Sequence, residues 1–152
     1  METQTVTVPL TKAARIRESV KVRIATNEDG AHIEAIFKAN NVSFPVANWE
    51  TVSANWLVAT VDGDLIGCLM VAFSKPIGLL EFLLMKPQAR FKLRAIAMQK
   101  LAFAGASSLT QYGCSYLSCV VVASNKPFMD VLKKYNFAAA ASAVVMVKRL
   151  KE

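Results

Sequence analysis

Residues 79–123 read LLEFLLMKPQARFKLRAIAMQKLAFAGASSLTQYGCSYLSCVVVA, and three patterns follow one another in them. Leu79 to Met85 is an apolar run of strand length, interrupted by one carboxylate, Glu81. A polar loop from Lys86 to Arg90 comes next. Leu93, Ile96, Ala97, Leu101 and Ala104 then recur at helical spacing, which predicts a helix from about Phe91 to Leu109. Tyr116 to Ala123 is nearly all apolar, the pattern of a strand covered on both faces. Strand, helix and strand in this order imply a parallel pair joined by a right-handed crossover.

Upstream, the pattern is antiparallel. Leu57–Val61 and Leu65–Phe73 read as strands separated by Asp62-Gly63, a strong signal for a tight hairpin. Lys21–Thr26 alternates and reads as the first strand. Asn27 or Asp29 caps a helix through Ile33, Ile36 and Phe37 to about Asn40, and a shorter helix lies around Trp49 and Val52. Downstream, a helix from Lys126 to Tyr135 precedes a final strand at Ala138–Val147. The predicted fold class is therefore α/β, with a mixed six- to seven-stranded sheet, helices on both faces and a splayed parallel pair. Residues 1–20 are a lead-in, with an extra strand at Thr5–Val8, and residues 21–150 form a single domain.

Composition narrows the chemistry. A chain of 152 residues with 54% apolar residues buries a core without staples. Cys68, Cys114 and Cys119 form no C-x-x-C pair, and His32 is the only histidine. That argues against a structural zinc site or a histidine-activated nucleophile. No metal is expected, and free thiols point to the cytoplasm. The stretch 101–125 is uncharged and long enough to span a bilayer, but its serines and Gly113 make it helix end, turn and strand. The start METQTVTVPL does not read as a signal peptide, so no membrane association is expected.

The net charge is +7, and no acidic residue occurs between Glu81 and Asp130. Lys86, Arg90, Lys92, Arg94, Lys100 and Lys126 all fall in that interval. Three of them crowd the first turn of the long helix, which already carries about half a positive charge and has no Ser, Thr or Asp cap. An anion would complete such a helix start. Nucleic acid is disfavoured as that anion, because only Phe91 is interleaved among the cations.

The segment Arg90-Phe91-Lys92-Leu93-Arg94-Ala95 resembles the pyrophosphate-binding loop of the GNAT superfamily of N-acetyltransferases, Arg/Gln-x-x-Gly-x-Gly/Ala. Arg90 and Ala95 match, while Leu93 and Phe91 stand where glycines are usual. A Cβ at such positions obstructs the approach of backbone to phosphate. The last helix, Asn125 to Phe137, is similar to the family's Asn-x-x-Ala-x-x-Leu-Tyr-x-x-x-Gly-Phe. Asn125, Val131 and Phe137 match, Asn136 replaces the glycine at a left-handed helix end, and Phe128 replaces the small alanine near the cofactor. Leu132 stands where the family has the tyrosine that serves as general acid.

The resemblance covers residues 21–150 and implies a GNAT-like fold, with acetyl-CoA or CoA bound by Leu84, Met85, Arg90, Phe91, Lys92, Leu93, Arg94, Ala95, Asn125 and Phe128. It implies acetyl transfer to an amine of a small molecule or protein, and a homodimer is compatible with it. Glu81, a carboxylate in an apolar strand, is the candidate base, since burial raises a carboxylate pKa toward the useful range. For the acid there remain Tyr135 and Tyr116, both read as packing residues. Trp49 and Trp56 either wall an acceptor pocket or pack in the core, Cys119 belongs to the core, and His32 lies at the surface. The alternative function is a GNAT-like domain without catalysis that binds a protein partner, phage-encoded and host-directed.

Overall fold

The computed structural model describes residues 11–44, 48–121 and 126–139. Two compact units divide at Cys119/Val120.

The first unit opens with helix α1, Lys12–Ser19, in the stretch read from sequence as lead-in. The Thr11 side chain accepts the Ala14 N–H at 3.2 Å and caps its start. At its end Lys100 Nζ donates to the Arg17 and Val20 carbonyls, both at 2.7 Å, which places a cation on the negative end of the helix. Strand β1, Val20–Ile24, leads to helix α2, Gly30–Ala39, and the short helix α3, Trp49–Val52. Strands β2 (Trp56–Val61), β3 (Asp64–Ser74) and β4 (Ile77–Met85) follow, then helix α4 (Phe91–Gln111) and strand β5 (Tyr116–Cys119).

The described sheet has the order β1-β2-β3-β4-β5, antiparallel except for the parallel pair β4–β5. Asp62 (φ 51°) and Gly63 (φ 86°) make the expected tight turn between β2 and β3. Alternation splits the strands between two cores. Trp56, Val58, Leu65 and Cys68 pack with Ile33, Ile36 and Phe37 of α2. Ala59, Ile66 and Leu69 pack with Ala97 and Leu101 of α4 on the opposite face. Helices thus cover both faces, as the sequence implied. Gly105 lets α4 approach closely, since a Cβ there would sit 2.8 Å from the Leu80 side chain and 2.9 Å from Leu69.

One expectation is overturned. The apolar pattern from Tyr116 predicted a strand buried on both faces, yet Tyr116 is 68% exposed, Ser118 is exposed, and Leu117 and Cys119 are half-buried. Among the described residues β5 is an edge strand with β4 as its sole partner, so its outer side lacks cover. Where it is described, the uncharged stretch has the expected helix end, turn and strand, without the burial expected of the strand: α4 ends at Gln111, Gly113 turns with φ 82°, and β5 begins at Tyr116. No described helix is long and apolar enough to cross a membrane.

In the second unit, helix α5 spans Lys126–Lys134. Asn136 has φ 64°, and the Asn136 and Phe137 N–H groups donate to the Lys133 and Leu132 carbonyls at 3.0 and 3.1 Å. This is the helix end expected from Asn136-Phe137. The strand at Thr5–Val8, residues 122 and 123 of the strand expected after Tyr116, Asn125, and the final strand from residue 140 onward lie outside the described residues.

Candidate active site

The site is organised by an irregularity in β4. Met70 pairs with Glu81 and Cys68 with Leu84, so Phe82 and Leu83 together face Leu69. This is a β-bulge, and Phe82 takes φ 51°. A bulky residue enters that region only under outside constraint. The Phe82 ring supplies it, lying 5.3 Å from the Phe37 ring and stacked at 6.1 Å on Trp56. Leu80 points at α4, since it meets Gly105, which puts Glu81 on the opposite face. Phe82 packs on that α2 face as well, so the bulge sets two consecutive side chains on one side of the sheet.

Parallel pairing with β5 runs from Ile77–Tyr116 to Leu80–Cys119 and stops there. From Glu81 to Met85 no described strand pairs with this edge of β4, since β5 ends at Cys119. Glu81 is the first residue of β4 beyond that pairing. Its side chain is half-buried, not enclosed, and has no hydrogen-bond or ion-pair partner among the described residues.

That stretch leads into the loop before α4. The Lys86 N–H donates to Ile66 O at 2.8 Å and the Ala89 N–H to Lys86 O at 3.1 Å, which fixes the turn. Arg90 occupies the cap position without a side-chain cap, and the first turn has no acidic residue. The N–H groups of Phe91, Lys92 and Leu93 meet no acceptor among the described residues. Two of the surrounding cations are engaged elsewhere: Lys100 holds α1, and Lys86 pairs with Asp64 at 3.2 Å. Arg90, Lys92 and Arg94 have no carboxylate within ion-pair distance among the described residues, and the Nε of Arg94 is buried without a partner.

The residues proposed from sequence separate into groups. Phe91 is 77% exposed and Lys92 exposed, while Leu93 packs against the α4-side core and Ala95 is half-buried. The Leu93 and Phe91 side chains thus point to the core and to solvent. Leu84 packs on the α2-side core and Met85 on the α4 side against Gly67, so their side chains are committed to packing. Phe128 is half-buried on α5 of the second unit, and Asn125 lies outside the described residues.

Burial pushes the Cys68 thiol up to about 12 and raises that of Cys119, so neither is an activated nucleophile. Cys119 is half-buried and stands outside the core in which it was expected. The three cysteines are free, and the described residues contain no cluster suited to a metal. Tyr116 and Tyr135 are exposed at 68% and 62%, which removes both from the packing role expected of them. His32 is exposed on α2. The tryptophans divide: Trp56 has no exposed surface, whereas half-buried Trp49 borders a cleft of about 450 Å³. Sequence reasoning missed the bulge, and Phe82 carries no glycine or asparagine signal that could have shown it.

No protein-family model matches the chain, and no curated protein matches it in sequence. Solved structures do match. N-acetylglutamate synthase from Neisseria gonorrhoeae, complexed with coenzyme A and N-acetyl-glutamate, superimposes with a TM-score of 0.63 at 19% identity over 74% of this chain. The chain spans only 27% of that protein. The aminoglycoside N-acetyltransferase AAC(6')-Iy with CoA gives a TM-score of 0.65 at 16% identity, over 86% of this chain and 95% of that one. A protein described as a transcriptional regulator from Bacillus halodurans C-125 gives 0.72 at 14% identity, over 85% and 99%. The chain has the GNAT fold.

Proposed function

We propose that the protein transfers an acetyl group from acetyl-CoA to an amine. The observation that carries this reading is the start of α4: cationic, without a side-chain cap and, among the described residues, without a neutralising carboxylate, next to the stretch of β4 that no described strand pairs on that edge. Three N–H groups and Arg94 Nε there lack acceptors among the described residues, which suits a pyrophosphate. The usual objection to replacing glycines in such a loop is weakened, because the Leu93 side chain turns to the core and that of Phe91 to solvent. Structures of two proteins with this fold contain CoA, which supports the same reading.

Acetyl-CoA supplies an activated acyl group. The chain's own part is to hold the anion at Arg90, Lys92 and Arg94, and to take a proton from the attacking amine at Glu81, directly or through one water. Leu132 offers no proton to the departing thiolate, so that proton comes from solvent. A thiol is acidic enough to leave this way, and turnover is slow as a result. A second reading, binding of a protein partner without catalysis, is favoured by that same leucine.

A thermal-shift and calorimetric titration separates the two. Acetyl-CoA should raise the melting temperature, with an affinity that falls as salt increases. Arg90→Ala with Arg94→Ala should weaken binding about tenfold or more. Absence of any shift at millimolar acetyl-CoA or CoA removes the transferase reading. Binding without transfer to a broad amine panel leaves the partner-binding one.

A further inference from the structure

Charge is sorted between the two faces of the sheet. Helix α1 lies beside α4, joined to it by the Lys100 ammonium on the Arg17 and Val20 carbonyls. These two helices carry Lys12, Arg15, Arg17, Lys92, Arg94 and Lys100 against one carboxylate, Glu18. On the opposite face Glu28, Asp29, Glu34 and Glu50 belong to the turns and helices of the α2 side, and Glu81 projects there too. The α1–α4 layer also exposes apolar surface. Phe91 and Phe103 are 77% and 76% exposed, the highest values for a large apolar side chain among the described residues, and both are on α4. From Leu101 to Gln111 this helix has no charge, although Phe103, Thr110 and Gln111 face solvent. The outer face of a surface helix ordinarily carries charges. Phe103 stands one turn beyond Lys100, hence next to the end of α1 and its exposed Arg15 and Arg17. Neither arginine has an ion-pair partner among the described residues.

We propose that the α1–α4 layer docks on an anionic lipid bilayer, with Phe103 inserted at the acyl boundary and Lys12, Arg15 and Arg17 against the lipid phosphates. The negative surface potential of such a bilayer attracts lysine and arginine, and an inserted ring adds apolar burial. A peripheral contact of this kind needs neither a leader peptide nor a spanning helix. The sorting of charge sets the orientation, because the carboxylate-bearing face is repelled and the Glu81 side turns to water. A second copy of the chain is a poor occupant, since it would bring two cationic layers together. Nucleic acid fits less well, because the outer face of α4 from Leu101 onward offers about three turns without a cation for a phosphate. The proposal does not rest on acetyl transfer, and its tests leave Arg90, Lys92 and Arg94 intact.

Co-sedimentation with vesicles reads the docking. Vesicles of phosphatidylcholine and phosphatidylglycerol in equal parts should carry the protein down, and vesicles of phosphatidylcholine alone should not, with binding that weakens as salt increases. Arg15→Gln with Arg17→Gln alters exposed side chains only and should weaken binding about tenfold or more. Phe103→Ser should weaken it about tenfold with the melting temperature unchanged. Lys38→Gln removes an exposed charge from α2 on the other face and should leave binding as it was, which separates a docking layer from net charge. The added tryptophan emission of Phe103→Trp should shift to the blue on the mixed vesicles, as the ring leaves water. Failure to sediment with the mixed vesicles, equal binding to phosphatidylcholine alone, or affinity unchanged in either α1 or α4 variant overturns the proposal. A loss as large in Lys38→Gln does the same. Binding of a single-stranded oligothymidylate, with no blue shift on vesicles, would assign the layer to nucleic acid and also overturns it. So does self-association that Phe103→Ser abolishes, in the absence of vesicle binding.

Discussion

Val58, Ala59, Cys68 and Leu69 in the β2–β3 half of the sheet have no exposed surface, whereas in β4 only Gly78 is buried, and no residue of β5 is. Charges divide in the same way. Asp29 and Arg23 at the antiparallel edge form a two-point ion pair at 2.6 and 2.9 Å, while Arg90, Lys92 and Arg94 beside β4 have no carboxylate partner among the described residues. Backbone strain follows suit, with a phenylalanine held at φ 51° in β4. The antiparallel half pairs its buried charge, Asp29, although the Trp56 Nε1–H in β2 is buried without a partner among the described residues. The β4 half leaves N–H groups, cations and a carboxylate available, as a binding site requires.

The comparison breaks most readily on stability. Leu69→Ala removes a fully buried side chain wedged between the sheet and Gly105, and should cost about 2–5 kcal/mol. Leu79→Ala, at a half-buried position paired with Ser118, should cost about 1 kcal/mol. Urea denaturation at unchanged m-value measures both. Equal losses would mean that β4 is as tightly built as β3.

The second test works in the opposite direction, through activity. Glu81→Gln keeps the shape and removes the base, and should lower turnover about 100-fold. Stability should change by no more than about 0.5 kcal/mol, since the carboxylate holds no partner among the described residues. A pH–rate profile accompanies the measurement, and wild-type turnover in the variant would remove Glu81 from the chemistry.

Asp29 sharpens the contrast in paired charge. The Arg23 guanidinium, together with the Thr26 N–H at 2.7 Å, lowers its carboxyl to about 2. A lowered folded-state pKa gives stability that is present above the unfolded value of about 4 and lost as pH falls toward 2. Arg23 is partly solvent-exposed, so the expected contribution is about 1–2 kcal/mol. Asp29→Asn should lose that amount at pH 7, and the gap from wild type should close between about pH 4 and pH 2. A gap that persists at pH 2 would assign the effect to packing.

The sequence made local features legible and left those imposed from a distance hidden. Asp62-Gly63 and Asn136-Phe137 announce their own geometry, because the backbone conformation is written in the residues that adopt it. The apolar spacing of α4 and the strand–helix–strand order likewise sufficed for the parallel pair. The bulge at Phe82 has no such signature, since rings on α2 and β2 force it. The exposure of β5 depends on its place at the edge of the described sheet, and apolar content does not report that. The basic loop was found through charge alone, but the orientation of Leu93 required the packing of α4. Trp49 and Trp56 carry the same side chain with opposite roles, which only their neighbours distinguish.

The smallest expected effect is also the one that ties stability to function. Arg90 holds the cap position of α4 without capping it, and its charge faces the positive end of the helix. Arg90→Asp would offer a carboxylate to the free N–H groups of the first turn and should stabilise the fold by about 1 kcal/mol. The same carboxylate would occupy the place of an anionic ligand and repel it, so CoA affinity should fall by about tenfold or more through charge reversal and lost donors. Stability and affinity thus move in opposite directions in a single variant, which a loss of folding cannot imitate. Thermal denaturation together with CoA titration reads both quantities. If Arg90→Asp stabilises the helix and binds CoA as before, the anion site lies elsewhere, and the bare helix start is a local imperfection of the open half.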